Sequence, residues 1–180
     1  MMNDTSRQFR NAIAACKEVF NNKMKDYGSS WRILRPSSLT DQIYIKANRI
    51  RSIEEKGEHR VDEGIRPEFI GIVNYSVIAL IQLELGTEGN HEPGPEEAEK
   101  MYDRHLESAR ALMEDKNHDY DEAWRNMRVS SYTDIILMKL KRIRQIEDRK
   151  GETIVSEGVD ANYREIINYA LFALIKMDEK

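Results

Sequence analysis

The chain has a single cysteine, Cys16, so no disulfide can form within it, and a reducing cytoplasmic compartment is the expected one. Aromatic residues are scarce and charged residues abundant, a balance that suits amphipathic helices with heavily solvated outer faces. No stretch alternates apolar and polar residues with β-branched enrichment, so no sheet is expected. The net charge of −4 gives no general attraction to nucleic acid or to an anionic membrane. The most apolar run, residues 70–85, carries Asn74, Gln82 and Glu84 and reads as too short and too polar to span a bilayer. The opening MMNDTSRQFR lacks the apolar core and small-residue cleavage site of a signal peptide. Chemical signatures are also missing. His59, His91, His105 and His118 make no metal-ligand spacing, and there is no Gly-rich phosphate loop, no G-x-S-x-G and no Ser/His/Asp set.

What is present is a repeat. KDYGSSWR at residues 25–32 returns as HDYDEAWR at residues 118–125, an offset of 93. The register holds well beyond those eight letters: Lys23 falls on Lys116, Thr40-Asp41 on Thr133-Asp134, Lys46 on Lys139, and Arg49-Ile50-Arg51 on Arg142-Ile143-Arg144. A one-residue insertion near residues 147–149 moves the offset to 94, after which Lys56-Gly57-Glu58 matches Lys150-Gly151-Glu152 and Asn74-Tyr75 matches Asn168-Tyr169. Agreement over that length implies an internal duplication.

Each copy reads as three helices. The first spans about residues 5–25 and 96–117, with apolar residues such as Phe9, Ile13, Cys16 and Phe20 at helical spacing. The second opens on a capping box, Ser38-x-x-Asp41 or Ser131-x-x-Asp134, and runs to Lys56 or Lys150, with Gly57 and Gly151 as C-caps. The third covers about residues 66–85 and 161–177, with Pro67 in its first turn. Three helices bury little core alone, so the expected fold is all-α: one domain over residues 1–180, a six-helix bundle of two repeats related by a pseudo-twofold axis. Repeat one would occupy residues 5–85 and repeat two residues 96–180, joined by a Gly/Pro-rich linker at residues 86–95.

Candidate functional residues are those that interrupt apolar faces. Lys46 and Arg49 lie in or beside the stripe Ile43, Ala47, Ile50 and Ile53, and Lys139 and Arg142 repeat the arrangement. A cation kept against a core needs a partner. That partner is either an internal carboxylate such as Asp26 or Asp119, or a bound anion such as a phosphate chain, for which Lys and Arg supply point charge and fork. Asn74 and Asn168 sit inside the most apolar helices and must find hydrogen bonds, either across helices or to a ligand. Asp26, Tyr27 and Trp31, with Asp119, Tyr120 and Trp124, either fill a helix-to-loop corner or bind a cation and stack on a base. Gly28/Asp121 and Lys25/His118 differ between copies and read as fillers. Cys16 falls on Ala109 and reads as a small buried residue.

The run DYG…W, then LTDQIYIKANRI, then an acidic-glycine turn and a helix with NYxxxAL, resembles the bacterial and phage family named nucleotide modification associated domain, type 1, over nearly the whole chain as two tandem copies. That family in turn resembles the all-α NTP pyrophosphatases of the MazG type, whose helices carry ExxE and ExxD pairs that bind Mg²⁺ around a triphosphate. The chain departs from that pattern. Lys46-x-x-Arg49 and Lys139-x-x-Arg142 stand in place of ExxE; Gly71…Asn74 and Glu165…Asn168 stand in place of ExxD. What remains is cationic and amide chemistry suited to holding an anion. The resemblance therefore implies a nucleotide or other phosphate-bearing small molecule as ligand, and leaves two readings open. One is an enzyme of nucleotide pyrophosphohydrolase type, with Asp26 and Asp119 as catalytic groups and Mg²⁺ as the implied cofactor. The other is a non-catalytic nucleotide-binding or scaffold protein. Lys46, Arg49, Lys139, Arg142, Asn74, Asn168, Trp31 and Trp124 would contact the ligand. No membrane or nucleic-acid partner is expected, and homo-oligomerisation is left open.

Overall fold

A computed structural model describes residues 4–56, 64–154 and 157–179, and among these the chain is wholly helical. The elements in order are α1 (Asp4–Tyr27), a 3₁₀ turn (Ser30–Ile33), α2 (Pro36–Lys56), α3 (Ile65–Leu85), α4 (Pro95–Tyr120), a second 3₁₀ turn (Ala123–Asn126), α5 (Val129–Asp148) and α6 (Val159–Asp178). No strand occurs among the described residues. All six expected helices are there, each beginning one or two residues ahead of the span that periodicity outlines, with α5 ending two residues short of it.

Burial explains the arrangement. Helix α1 buries one stripe, Phe9, Ala12, Cys16, Phe20 and Met24, at spacings of three and four. Helices α3 and α6 are buried nearly all round and pack on one another as the central pair. By length and composition α3 is long and apolar enough to cross a bilayer, because its helix starts at Ile65 and so exceeds the apolar run of the sequence; two-thirds of that window is buried in the bundle, where it serves as a core helix. Helix α2 packs on α5 and α1 on α4, so each helix of one copy meets its own counterpart.

The contacts between α2 and α5 are reciprocal. Thr40 donates to Glu147 at 3.0 Å and Thr133 to Glu54 at 3.3 Å; Arg144 pairs with Asp41 at 3.0 Å and Arg51 with Asp134 at 3.7 Å. Reciprocity of residue i with j and j with i is the property of a twofold interface, and the expected two-repeat bundle is compatible with it.

Local details differ from the sequence reading at three places. The serines of the expected capping boxes lie inside the first turn, not ahead of it: the Arg35 carbonyl accepts from Ser38 and Leu39, the Arg128 carbonyl from Ser131 and Tyr132, and Arg128 caps α5 with no side-chain bond. Pro36, whose ring fixes φ and lacks an N–H, starts α2 two residues earlier than Ser38 would. Helix α5 ends at Asp148, and Gly151 closes the following turn through its N–H to the Ile146 carbonyl at 2.8 Å; Gly57 lies outside the described residues. Gly28 and Asp121 are not fillers. Both take the left-handed conformation, φ +61° and +50°, that ends the first helix of each copy, and each returns its N–H to the residue four back at 2.9 Å. Asp is one of the few side chains that tolerates this conformation, which is why the two letters interchange.

Candidate functional site

The repeated motif folds into one corner per copy. The Trp of each is buried at the base, while Tyr27 and Tyr120 are about 70% exposed at the rim (71% and 70%). The Arg clamps the corner, and in copy two its guanidinium also lies over the Trp124 ring, 4.5 Å from the centroid. Arg32 donates to the His91 and Gly86 carbonyls at 2.9 Å and to the Gln82 side chain; Arg125 donates to Glu179, Thr5 and Gln8. From below, the Gln82 amide donates to the carbonyls of Trp31, Arg32 and Leu34, and Lys176, its counterpart, donates to those of Arg125 and Met127. A donor from the third helix thus satisfies the carbonyls of each 3₁₀ turn and fixes the Trp.

Each corner borders a cleft between the first and third helices of its own copy, and the two clefts are lined by equivalent residues. The cleft of copy one has a volume of about 740 Å³ and that of copy two about 350 Å³. Lys23, Trp31, Gly71, Asn74, Tyr75 and Ile78 line the first; Lys116, Trp124, Glu165, Asn168, Tyr169 and Phe172 stand at the same positions of the second.

The Lys/Arg pair meets a carboxylate, but not the one expected. Lys46 Nζ lies 3.4 Å and Arg49 Nη1 2.8 Å from the two oxygens of Glu68 on α3, which is buried. In copy two Glu68 is replaced by Asn162, and the carboxylate has moved one turn along α6 to Glu165, where copy one has Gly71. Glu165 pairs with both Lys139 and Lys116. Burial pushes its carboxyl up, but hydrogen bonds and charge from Lys116 and Lys139 outweigh burial and hold it below the usual carboxylate range. Burial likewise works against the Lys116 ammonium, and the Glu165 contact outweighs it, raising that pKa. Arg142, counterpart of Arg49, is exposed with no partner among the described residues. So is Lys23, counterpart of Lys116: the carboxylate that would neutralise it is absent from copy one. In its place the Lys46 chain lies against Gly71, where an added Cβ would stand 2.8 Å from Lys46 Cε.

Asn74 is occupied structurally. Its amide donates to the Cys16 carbonyl at 3.0 Å and its oxygen accepts from the Tyr102 hydroxyl at 2.7 Å, a bond between the copies. Asn168 donates to the Ala109 carbonyl at 3.0 Å, but its oxygen is buried without a partner. Phe9 stands where Tyr102 stands in the other copy, and a phenyl ring has no hydroxyl to offer. Trp31 donates to Met24 Sδ at 3.3 Å, and no aromatic side chain stacks on it among the described residues; Phe172 lies flat on Trp124, centroids 4.3 Å apart and planes 7° apart.

Asp26 and Asp119 are exposed on the last turns of α1 and α4 and line neither cleft; Asp119 contacts His118 at 3.4 Å. Among the described residues no group of three acid, His or Cys side chains converges as a cation site. The carboxylates that do line the larger cleft, Glu18 and Glu68, do not fit a Mg²⁺ cage, since Glu68 is taken up by Lys46 and Arg49 and both polar atoms of Asn74 are bonded to protein. Cys16 is buried as expected; burial pushes its thiol up to about 12, against a smaller downward pull from Arg66, so it is no nucleophile. The sequence reading missed Glu68 and Lys23. A signal existed for both: Glu68/Gly71 against Asn162/Glu165 is an exchange within the repeat register, and it leaves Lys23 without the counter-charge that Lys116 has.

No curated protein and no solved structure matches the chain. The family model described as nucleotide modification associated domain 1 matches twice, over residues 23–83 and 116–177, segments that contain both motif corners and most of the residues lining each cleft. With most of its length matched in two tandem segments, the chain belongs to the nucleotide modification associated domain 1 family.

Proposed function

We propose that the cleft of copy one binds a nucleotide. Its volume of about 740 Å³ suits a small organic ligand, for which sites of about 300–1,000 Å³ are usual. Its lining combines apolar and aromatic surface, Trp31, Tyr27 and Tyr75, with cations at one side, Lys23 and Lys46. Aromatic faces take a base by stacking, and ammonium groups take phosphate oxygens by charge-assisted hydrogen bonds. The observation that carries this reading is Lys23: a lysine lining a concave apolar site without the carboxylate that its counterpart has. Arg49 and Asn74, expected among the ligand contacts, are bonded to protein in this arrangement, and their part is to hold Lys46 and the α1–α3 contact in place.

A second reading, hydrolysis, rests on Glu18, the carboxylate of the same lining that pairs with no cation among the described residues. One experiment addresses both. Calorimetric titration with nucleoside mono-, di- and triphosphates, with and without Mg²⁺, should give saturable binding that Lys23→Ala weakens and Lys116→Ala leaves unchanged. Chromatography of the same mixtures separates binder from enzyme by whether any phosphate or pyrophosphate is released. If no nucleotide binds, or Lys23→Ala binds as tightly as wild type, the reading fails.

A further inference from the structure

Copy two carries an acid and an aromatic ring at two separate points of equivalent pockets where copy one has neither: the flexible Lys46 chain, paired with Glu68, lies against Gly71, and Ile78 stands in place of the ring. At one, the Glu165 carboxylate sits between Lys139 and Lys116; the equivalent Lys46 and Lys23 line a cleft with Gly71 between them. At the other, the Phe172 ring covers Trp124 face to face; the equivalent Ile78 has no ring to lay on Trp31. An anion and an aromatic plane, about 10 Å apart along one helix, are the two ends of a nucleotide. We infer that Glu165 and Phe172 are built-in stand-ins for the ligand of copy one: the chain binds a single nucleoside monophosphate, its phosphate beside Gly71 between Lys23 and a Lys46 whose flexible end moves to meet it, and its base on Trp31, while the smaller copy-two cleft has both positions filled by its own side chains. This rests on the nucleotide reading of the copy-one cleft and specifies its ligand.

The charge of the site supports one phosphoryl group. Lys23, Lys46 and Arg66 line it against Glu18 and Glu68, and with the ion-pair partners Arg49 on Glu68 and Asp178 on Arg66 included the net is one positive charge. An organic phosphate carries about −1.5 to −2 at neutral pH, which this lining and a single flanking cation offset. A triphosphate without metal carries more charge than the lining can meet, and the Glu68 and Glu18 carboxylates would repel the excess. A single carboxylate between the two lysines of copy two is likewise a one-anion arrangement.

The test uses the whole chain and metal-free titrations with a nucleoside, its 5′-monophosphate and its 5′-triphosphate, across the common bases. Expected are one site per chain, and monophosphate affinity at least about tenfold above the nucleoside and not below the triphosphate. Gly71→Glu recreates the copy-two carboxylate at the cost of moving only the flexible end of Lys46, and should abolish monophosphate binding while the thermal midpoint is kept. Should Gly71→Glu not fold, Lys23→Gln, an exposed substitution, must lose at least about tenfold in monophosphate affinity and leave the nucleoside unaffected. A nucleoside that binds as well as its monophosphate overturns the phosphate position but leaves the cleft reading standing. A triphosphate that binds about tenfold tighter without metal, or two sites per chain, overturns the inference in the same way. Absence of binding by all three overturns the nucleotide reading itself.

Discussion

Tyr102 of α4 donates its hydroxyl hydrogen to the side-chain oxygen of Asn74 on α3 at 2.7 Å, and both are buried. The bond ties the two copies through their cores. Its counterpart is missing, because Phe9 replaces the tyrosine and leaves the Asn168 oxygen without a donor. A buried unsatisfied acceptor costs about 1–3 kcal/mol. Tyr102→Phe should therefore lower the thermal midpoint by roughly 2–8 °C, taking about 1–2 kcal/mol and about 2–4 °C per kcal/mol for a chain of this size. Phe9→Tyr should raise it by a few degrees. Scanning calorimetry decides; a Phe9→Tyr variant less stable than wild type would show that the hydroxyl does not reach Asn168.

Glu68 should be removable only if its charge is returned one turn away. Glu68→Asn, the copy-two residue, leaves Lys46 half-buried without its carboxylate and should cost about 1–2 kcal/mol; the exposed Arg49 adds little. Adding Gly71→Glu restores a carboxylate in the copy-two position and should recover most of that loss. Urea denaturation of the single and double variants measures it, and simple additivity of two losses would sink the equivalence of the two arrangements.

Gln82→Ala withdraws the donor shared by two carbonyls of the first 3₁₀ turn and that of Leu34 just after it. About 2 kcal/mol of stability should go with it. Trp31 fluorescence should also red-shift as the turn loosens, whereas Trp124, held by Lys176, keeps its emission; single-Trp variants separate the signals.

The half-buried acids of the α2–α5 interface set a pH dependence. Burial raises the pKa of Glu54 and of Glu147, and the Thr133 and Thr40 hydroxyls only partly offset it. A carboxyl whose folded pKa is raised binds its proton more readily in the fold. Its contribution is therefore fully present below the unfolded value of about 4.3 and is lost as pH rises through the higher folded value. Glu54→Gln and Glu147→Gln, which keep an acceptor for each threonine, should raise the thermal midpoint at neutral pH. The advantage over wild type should vanish in acid, and an advantage that grows as pH falls would contradict the assignment.

Helix positions and the duplication were legible because both are written in register: apolar residues recur at three and four, and identities recur at a fixed offset. That Lys46 and Arg49 needed an anionic partner was legible too, from the cost of an unpaired charge. Which carboxylate was not, since Glu68 and Glu165 are equivalent in space yet three residues apart in the alignment, and a helix brings residues one turn apart onto the same face. Cap positions were misplaced for a related reason. Ser38 and Ser131 carry the letters of a cap, but Pro36 and the extended Arg128 start the helices upstream of them.

The reciprocal contacts of Thr40 with Glu147 and Thr133 with Glu54 join two like surfaces carried on one polypeptide. In a homodimer every substitution lands in both sites, so a residue that closes one closes the other. Covalent linkage removes that constraint: Glu165 and Phe172 alter one cleft while Gly71 and Ile78 stay as they are in the other. A surface suited to symmetry thus holds two halves on a common scaffold while their clefts differ in size and lining.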